Sequence, residues 1–425
     1  MSIDRFMTAL FLQGGYNVTL VVIGAALLGA AAGASGAFVF LRRRALVSDA
    51  ISHATLPGIA IAFLVMLAAG GDGRWLPGLI AGAAVSAAIG LVIVEWMARE
   101  TRLGEDAAIG AVLSVFFGAG IVLLTVIQGL GRGQAAGLED FLLGQAAGML
   151  ASEALMIAVA GGLSTLAVWA LRRPMVLVAF DPAYARATGV DVRRVDLAMM
   201  GLALAITVVG LKIVGLILIV AMLIIPPAAA RFWTDRVDRL VLGAAVIGGV
   251  SAWVGAALSA SADGLPTGPV IVLAAFALFA ASLVFAPLRG ALAAALRHRR
   301  FQRAVHRRQG LLALARDEAI LDTQTLGILR REGFLRRDGM ATDAGRAAAV
   351  EARLDEARWQ ALRARAVAPG GGSVALTTTP GTLVEAGDAI EGLTPLARIL
   401  TPDQLSRLDA EIGLGRPTGV TGGAP

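Results

Sequence analysis

Apolar residues fill the first two thirds of this chain in nine runs of 17 to 25, at 17–41, 49–69, 76–97, 106–129, 150–171, 195–211, 213–230, 239–260 and 268–288. A helix needs about 20 such residues to cross a hydrocarbon core about 30 Å thick. The pattern therefore predicts an all-α polytopic membrane protein with about nine transmembrane helices. The first run is too long for the apolar part of a cleaved export signal, so it is expected to remain as a span.

The polar breaks between runs set the expected orientation. Arg42–Arg44, Arg99 and Arg102, five arginines in a loop over 172–194, and Arg231, Arg236 and Arg239 form one set of loops. The alternate loops offer only Arg74, Arg132 and Lys212. Basic loops face the cytoplasm, which puts the N-terminus outside and the C-terminal residues inside. Arg194 and Arg231 then share a side, so 195–211 and 213–230 are expected to form a tight hairpin meeting at Lys212.

After residue 288 the pattern changes. Residues 1–288 carry 17 basic and 16 acidic side chains, 289–308 carry seven arginines and no acid, and 309–425 carry 13 basic and 15 acidic. Three parts follow: a transmembrane domain over 1–290, a basic juxtamembrane linker over 291–308, and a cytoplasmic domain over 309–425. A basic run placed directly after a span reads as an anchor on anionic membrane lipids before it reads as a nucleic-acid site.

Composition narrows the chemistry. At 57% apolar and 16% charged residues, with mean hydropathy +0.75, the chain is well outside the soluble norm of roughly 45–50% and 25%. The absence of cysteine excludes disulfides, thiolate zinc sites and iron–sulfur clusters. Three histidines, His53, His298 and His306, speak against a multi-histidine metal centre. The one lysine, Lys212, lies in an apolar run, so there is no lysine-bearing phosphate loop and the chain does not hydrolyse ATP in that manner. No nucleophile–histidine–carboxylate set points to an enzyme. The glycines of the first run, Gly29-x-x-x-Gly33 and Gly36, read as close helix packing.

Two segments carry candidate chemistry. In Ser48-Asp49-Ala50-Ile51-Ser52-His53-Ala54-Thr55-Leu56-Pro57-Gly58, Asp49, His53 and Pro57 fall at i, i+4 and i+8 on one helical face. His53 lies about 13 Å along the helix from Arg44, a depth at which an ionisable group faces an interior path. A carboxylate oxygen and an imidazole nitrogen one turn apart suit Mn²⁺, Fe²⁺ or Zn²⁺, and Pro57 is a candidate kink. The alternative is a helix cap at Ser48 or Asp49, near Arg44, with His53 hydrogen-bonded between helices. Two ligands do not complete a coordination sphere, so other groups have to contribute. The second segment, Phe180-Asp181-Pro182-Ala183-Tyr184-Ala185-Arg186-Ala187-Thr188-Gly189, has an N-cap, a first-position proline and a left-handed stop. A helix of about two turns is too short to stand alone, so it rests on its own domain or receives a cytoplasmic partner.

These residues resemble a known family. Ser48–Gly58, Phe180–Val190, Val214–Arg231 and the Pro266-Thr267-Gly268-Pro269-Val270-Ile271-Val272-Leu273 stretch are similar, in order, to the signatures of permease subunits of zinc/manganese/iron-type ABC importers. The double proline Pro226-Pro227 departs from the single proline of many relatives. The resemblance implies a type II importer fold in a bacterial inner membrane, working as half of a pore beside a second or paralogous permease. It further implies two cytoplasmic ATP-binding subunits and an extracytoplasmic lipoprotein or periplasmic protein that delivers the metal. No cofactor is implied; the divalent metal is cargo. Asp49 and His53 become pathway ligands, and Asp181, Pro182, Tyr184, Arg186 and Gly189 the ATPase-coupling helix.

The C-terminal part reads as helix (Gln309–Leu321), helix (Thr323–Glu332), a hairpin tip at Arg337-Asp338-Gly339 and a helix opening at Thr342–Arg346. That order predicts a small winged-helix-like α+β domain. It is similar to iron-dependent repressors, with Ala347–Arg363 resembling their dimerisation helix and Leu400 to Pro425 their close. Beyond His306 there is no histidine, and Met340 is the one methionine, so the repressors' metal ligands are missing. Its net charge of −2 argues against DNA and for an interaction or regulatory role. Fused tails of this kind mark a subgroup, mostly manganese systems with two different permeases, which tilts the expectation to manganese. The competing reading is a membrane-tethered, metal-responsive transcriptional regulator.

Overall fold

The computed structural model describes residues 3–71, 73, 75–129, 149–262, 264–367, 393 and 395–413. Arg74, Arg132 and the Gly422–Pro425 ending considered above lie outside the described residues, as does the side chain of Lys212. The chain forms two compact units, Met1–Ala293 and Ala294–Pro425.

The first unit is all helical. A short α1 (Ile3–Leu10) precedes α2 (Tyr16–Leu41), α3 (Ala45–Ala68), α4 (Leu76–Glu100) and α5 (Glu105–Gly129). Then come α6 (Ala151–Phe180), the six-residue α7 (Pro182–Ala187), α8 (Val192–Val214), α9 (Leu216–Arg231), α10 (Val237–Ser259) and α11 (Thr267–Phe285). Eight of these helices are long and apolar enough to cross a membrane. The expected ninth, α9, has 16 residues, about 24 Å at 1.5 Å per residue and short of the hydrocarbon core.

Two further expectations are corrected. Helix α8 continues past Lys212 and breaks at Gly215, whose φ is +78°, a conformation that glycine adopts without a side-chain clash. The chain reverses there, because Ile219 packs where a side chain on Gly210 would stand, whereas nine residues of unbroken helix span about 13 Å. The loop expected over 172–194 is mostly helix. With 30 residues, α6 reaches about 45 Å, so its final turns outrun the hydrocarbon core, and Arg172 and Arg173 sit on those turns.

Small residues let backbones meet. α2 lies against α10, α6, α9 and α8. A Cβ added at Gly33 would strike the Ala244 carbonyl oxygen, one at Gly248 the Gly29 carbonyl oxygen, and one at Gly36 the Leu223 carbonyl oxygen. Around this contact Leu28, Ile157, Ile206, Leu218, Ile219 and Ile271 form one buried core. A second bundle packs α3 against α4 and α5, with Ile59, Phe63, Leu79 and Leu91 buried, and α8 borders both. Outward faces are apolar, as Val85, Ile89 and Val92 on α4 and Leu155 and Leu163 on α6 show. Such faces suit a lipid surrounding.

In the second unit, α12 (Ala291–Ala315), α13 (Thr323–Arg331), α14 (Asp343–Val367) and α15 (Pro402–Glu411) surround Leu311, Leu329 and Leu335, with a second cluster at Leu396, Leu400 and Leu408. The stretch expected to be a linker over 291–308 is the front of α12, since alanine and arginine are strong helix formers. The helix stops at Ala315, before Asp317 at φ +55°. Asp322 caps α13, accepting from the hydroxyl of Thr325 (2.6 Å) and its backbone N–H (2.8 Å). These bonds hold its carboxyl below the usual carboxylate range. The α+β expectation is corrected: no strand forms among the described residues. The hairpin position holds one isolated antiparallel bridge, Leu335 to Ala341, around Gly339 at φ +88°. Two residues facing each other once are too few for a ladder.

Candidate functional site

Helix α3 starts immediately after the Arg42-Arg43-Arg44 turn, and one helical turn separates its two candidate ligands. His53 Nε2 stands 3.3 Å from Asp49 Oδ1. Two ligands held at about 2.1 Å by one cation would be about 3.0–3.4 Å apart, so the pair has the spacing of adjacent ligands. The Asp49 side chain is 37% exposed and that of His53 21%. The other ring nitrogen, Nδ1, is enclosed and has no hydrogen-bond partner. Beside the ring lies Phe117 of α5, edge to face.

Another side of α3 carries buried polar side chains. Ser48, Ser52 and Thr55 are fully enclosed. Ser52 donates to the Ser48 carbonyl (2.9 Å) and Thr55 to the Ser52 carbonyl (2.5 Å). Pro57 has no N–H for the His53 carbonyl, yet α3 stays helical on both sides of it. Among the described residues, no group of three histidine, aspartate or glutamate side chains comes together to hold a metal. Asp49 and His53 stand as a pair, without a third such group beside them among the described residues.

The second candidate segment folds as its local chemistry dictates. Asp181 Oδ1 accepts from the Tyr184 N–H (2.9 Å), Pro182 opens α7, and the Val190 N–H donates to the Ala185 carbonyl (2.9 Å) across Gly189 at φ +84°. Ala185 is buried against Phe38, Val168, Met175 and Met199, so α7 rests on its own domain. Its Tyr184 and Arg186 face outward.

Sequence reasoning missed an ion cluster behind α3. Arg42 donates twice to Asp196 of α8, Nε to Oδ1 at 2.9 Å and Nη2 to Oδ2 at 2.7 Å. Arg44 reaches Glu105 of α5 at 2.6 Å, Glu95 of α4 at 3.6 Å and Asp196 at 3.9 Å, and Arg99 pairs with Glu95. Asp196 and Glu95 are buried. Each is an acid inside an otherwise apolar helix, a signal visible in sequence because such a charge is kept where it has a partner. Phe117 offered no such signal among many apolar neighbours.

The ABC 3 transport family matches residues 16–286. The manganese transport system membrane protein MntC of Bacillus subtilis is 40% identical over 298 residues, 70% of this chain and 67% of that protein. The zinc transport system membrane protein TroC of Treponema pallidum is 39% identical over 288 residues, 67% of this chain and 94% of its own. Among solved structures, PsaBC from Streptococcus pneumoniae in complex with Fab superposes with a TM-score of 0.58 at 28% identity, covering 68% of this chain and 98% of that one.

Proposed function

The chain belongs to the ABC 3 transport family, and on that premise we propose that it imports divalent manganese, with zinc and iron as competing cargo. It is a multi-pass membrane permease of a metal-ion ABC importer; it is a transport component and not an enzyme, and ATP hydrolysis lies in a separate subunit. The observation that carries the cargo reading is the Asp49–His53 pair at 3.3 Å, a hard oxygen beside an imidazole nitrogen on an accessible helix face. Manganese is preferred on the strength of the 40% identity to a manganese transport protein and of the carboxylate ligand.

In this reading a second permease, a copy or a paralogue, completes the pore and supplies the ligands that the pair lacks. The capped α7, with Asp181, Pro182, Tyr184, Arg186 and Gly189, receives an ATP-binding subunit on the cytoplasmic side. An extracytoplasmic metal-binding protein loads the opposite face. The N-terminus lies outside and the C-terminal unit inside, supported by the arginine bias of the loops. That unit is an interaction or regulatory module, supported by its net negative charge.

Isotope uptake at limiting manganese, in cells lacking the native gene, tests the reading. Wild type restores uptake, while His53→Ala and Asp49→Ala do not. Competition by excess zinc or iron ranks the cargo. Normal uptake by His53→Ala would exclude the pair from the pathway.

A further inference from the structure

We infer that Asp196 is a positioning residue that ties the α7–α8 corner to helix α3, so that movement of α7 is delivered to Asp49 and His53. This rests on the functional reading above, in which α7 meets an ATPase and α3 meets the metal.

Asp196 sits in the second turn of α8, five residues after Asp191, which caps that helix by accepting from the Arg194 N–H at 3.2 Å. Four residues, Thr188–Asp191, separate α7 from α8. The Asp196 carboxylate therefore belongs to the element that follows α7 most closely. It holds Arg42 through two parallel N–H donors, a fork that fixes direction as well as distance. Arg44 Nη1 approaches the same carboxylate at 3.9 Å.

The turn between α2 and α3 is built for this convergence. Two residues apart on a helix point about 200° away from each other, yet Arg42 and Arg44 reach one acid. Arg43, between them, takes φ +59°, a left-handed conformation costly for a residue with a side chain. Arg44 is also the residue at which α3 begins, with Asp49 about 7.5 Å and His53 about 13 Å further along that helix.

Charge balance makes the cluster move as one. Arg42, Arg44 and Arg99 face Glu95, Glu105 and Asp196. Taking its partner from a buried acid such as Asp196 strands that charge, so a shift of Asp196 carries Arg42 with it. A cavity of about 590 Å³ opens beside the cluster, lined by Arg42, Arg44, Arg99, Arg186, Arg193 and Asp196 among others. Arg186 of α7 shares that space.

The test uses the complete importer, this chain with its second permease and ATPase, in proteoliposomes, recording ATP hydrolysis and isotopic manganese uptake together. Asp196→Asn keeps ATP hydrolysis but lowers the metal moved per ATP by about tenfold, within the range of ordinary site-to-site coupling. Asp196→Glu recovers part of that ratio. Should Asp196→Asn fail to assemble, Arg42→Lys keeps the charge and loses the fork, and a lowered ratio in that variant supports the link equally. An unchanged ratio in both variants, or parallel loss of hydrolysis and uptake in proportion to assembled complex, overturns the link. A wild-type complex that hydrolyses ATP without moving any metal would instead refute the functional reading.

Discussion

The His53 imidazole meets the Phe117 ring edge to face, with centroids 4.9 Å apart and planes at 82°. The contact fixes the ring plane, and with it the direction in which Nε2 faces Asp49. An aromatic pair of this geometry contributes about 0.5–1.5 kcal/mol beyond burial. Phe117→Ala is expected to raise the half-saturating metal concentration about two- to tenfold, with little change in maximal uptake. Phe117→Tyr is expected to behave as wild type. Uptake curves against metal concentration decide it; an unchanged half-saturation in Phe117→Ala would show that the ring is held by other contacts.

Where α2 crosses α10 there is no room for a methyl group. Gly33→Ala and Gly248→Ala push a Cβ into the carbonyl oxygens of Ala244 and Gly29, and overpacking of this kind costs about 1–3 kcal/mol. Gly162→Ala, in α6 with open space around it, is expected to be neutral or to stabilise by up to about 1 kcal/mol through helix propensity. Thermal unfolding of the detergent-solubilised chain separates the two classes. Equal midpoints for all three would contradict the close crossing.

At the end of α7, Gly189 has open space but φ +84°, so a substitution there is judged on backbone conformation alone. Gly189→Val is expected to cost about 1–2 kcal/mol and to loosen α7, reducing metal-stimulated ATP hydrolysis in the assembled importer. Gly189→Asn, which tolerates the left-handed region better, is expected to lose much less. If valine and asparagine act alike, the turn has another conformation available.

Arg358 of α14 donates to both oxygens of Asp409 of α15, at 2.6 and 2.7 Å. The carboxylate holds the guanidinium above its already high pKa. A raised pKa means that the contribution is complete below the unfolded pKa and fades only as the pH climbs through the folded one, so this pair keeps its arginine charge at every working pH. Arg358→Lys removes the two-point fork and is expected to weaken α15 docking by about 1 kcal/mol. Faster amide hydrogen exchange in 402–411, with α13 unaffected, is the measurement. Unaltered exchange would mean that Leu405 and Leu408 hold the helix without it.

Features set by neighbouring residues in the chain were legible in advance. The spans follow from apolar length, and the α7 boundaries follow from Asp181, Pro182 and Gly189 acting within nine residues. Features set by tertiary contact were not. Arg172-Arg173-Pro174 reads as the start of a loop, yet α6 continues through it, with Met175 and Val178 beyond the proline buried in one cluster with Phe38 and Met199. The candidate residues Asp49 and His53 share a helix face and could be paired by spacing. Phe117, beside the His53 ring, comes from α5, and the acids of the ion cluster, Glu95, Glu105 and Asp196, come from three different helices. The winged-helix expectation was built on element order, which four helices and one bridge reproduce without a sheet.

The 30-residue length of α6 makes the placement of α7 a question of phase. Every residue inserted into or removed from its outer turns swings α7 by about 100° around the helix axis and shifts it about 1.5 Å along it. A partner that grips Tyr184 and Arg186 can therefore be engaged only at one angular setting, and a lengthening of α6 by seven residues, close to two whole turns, restores the setting that a lengthening by two destroys. The outer end of this helix works as an indexed spindle, on which angle counts for more than reach.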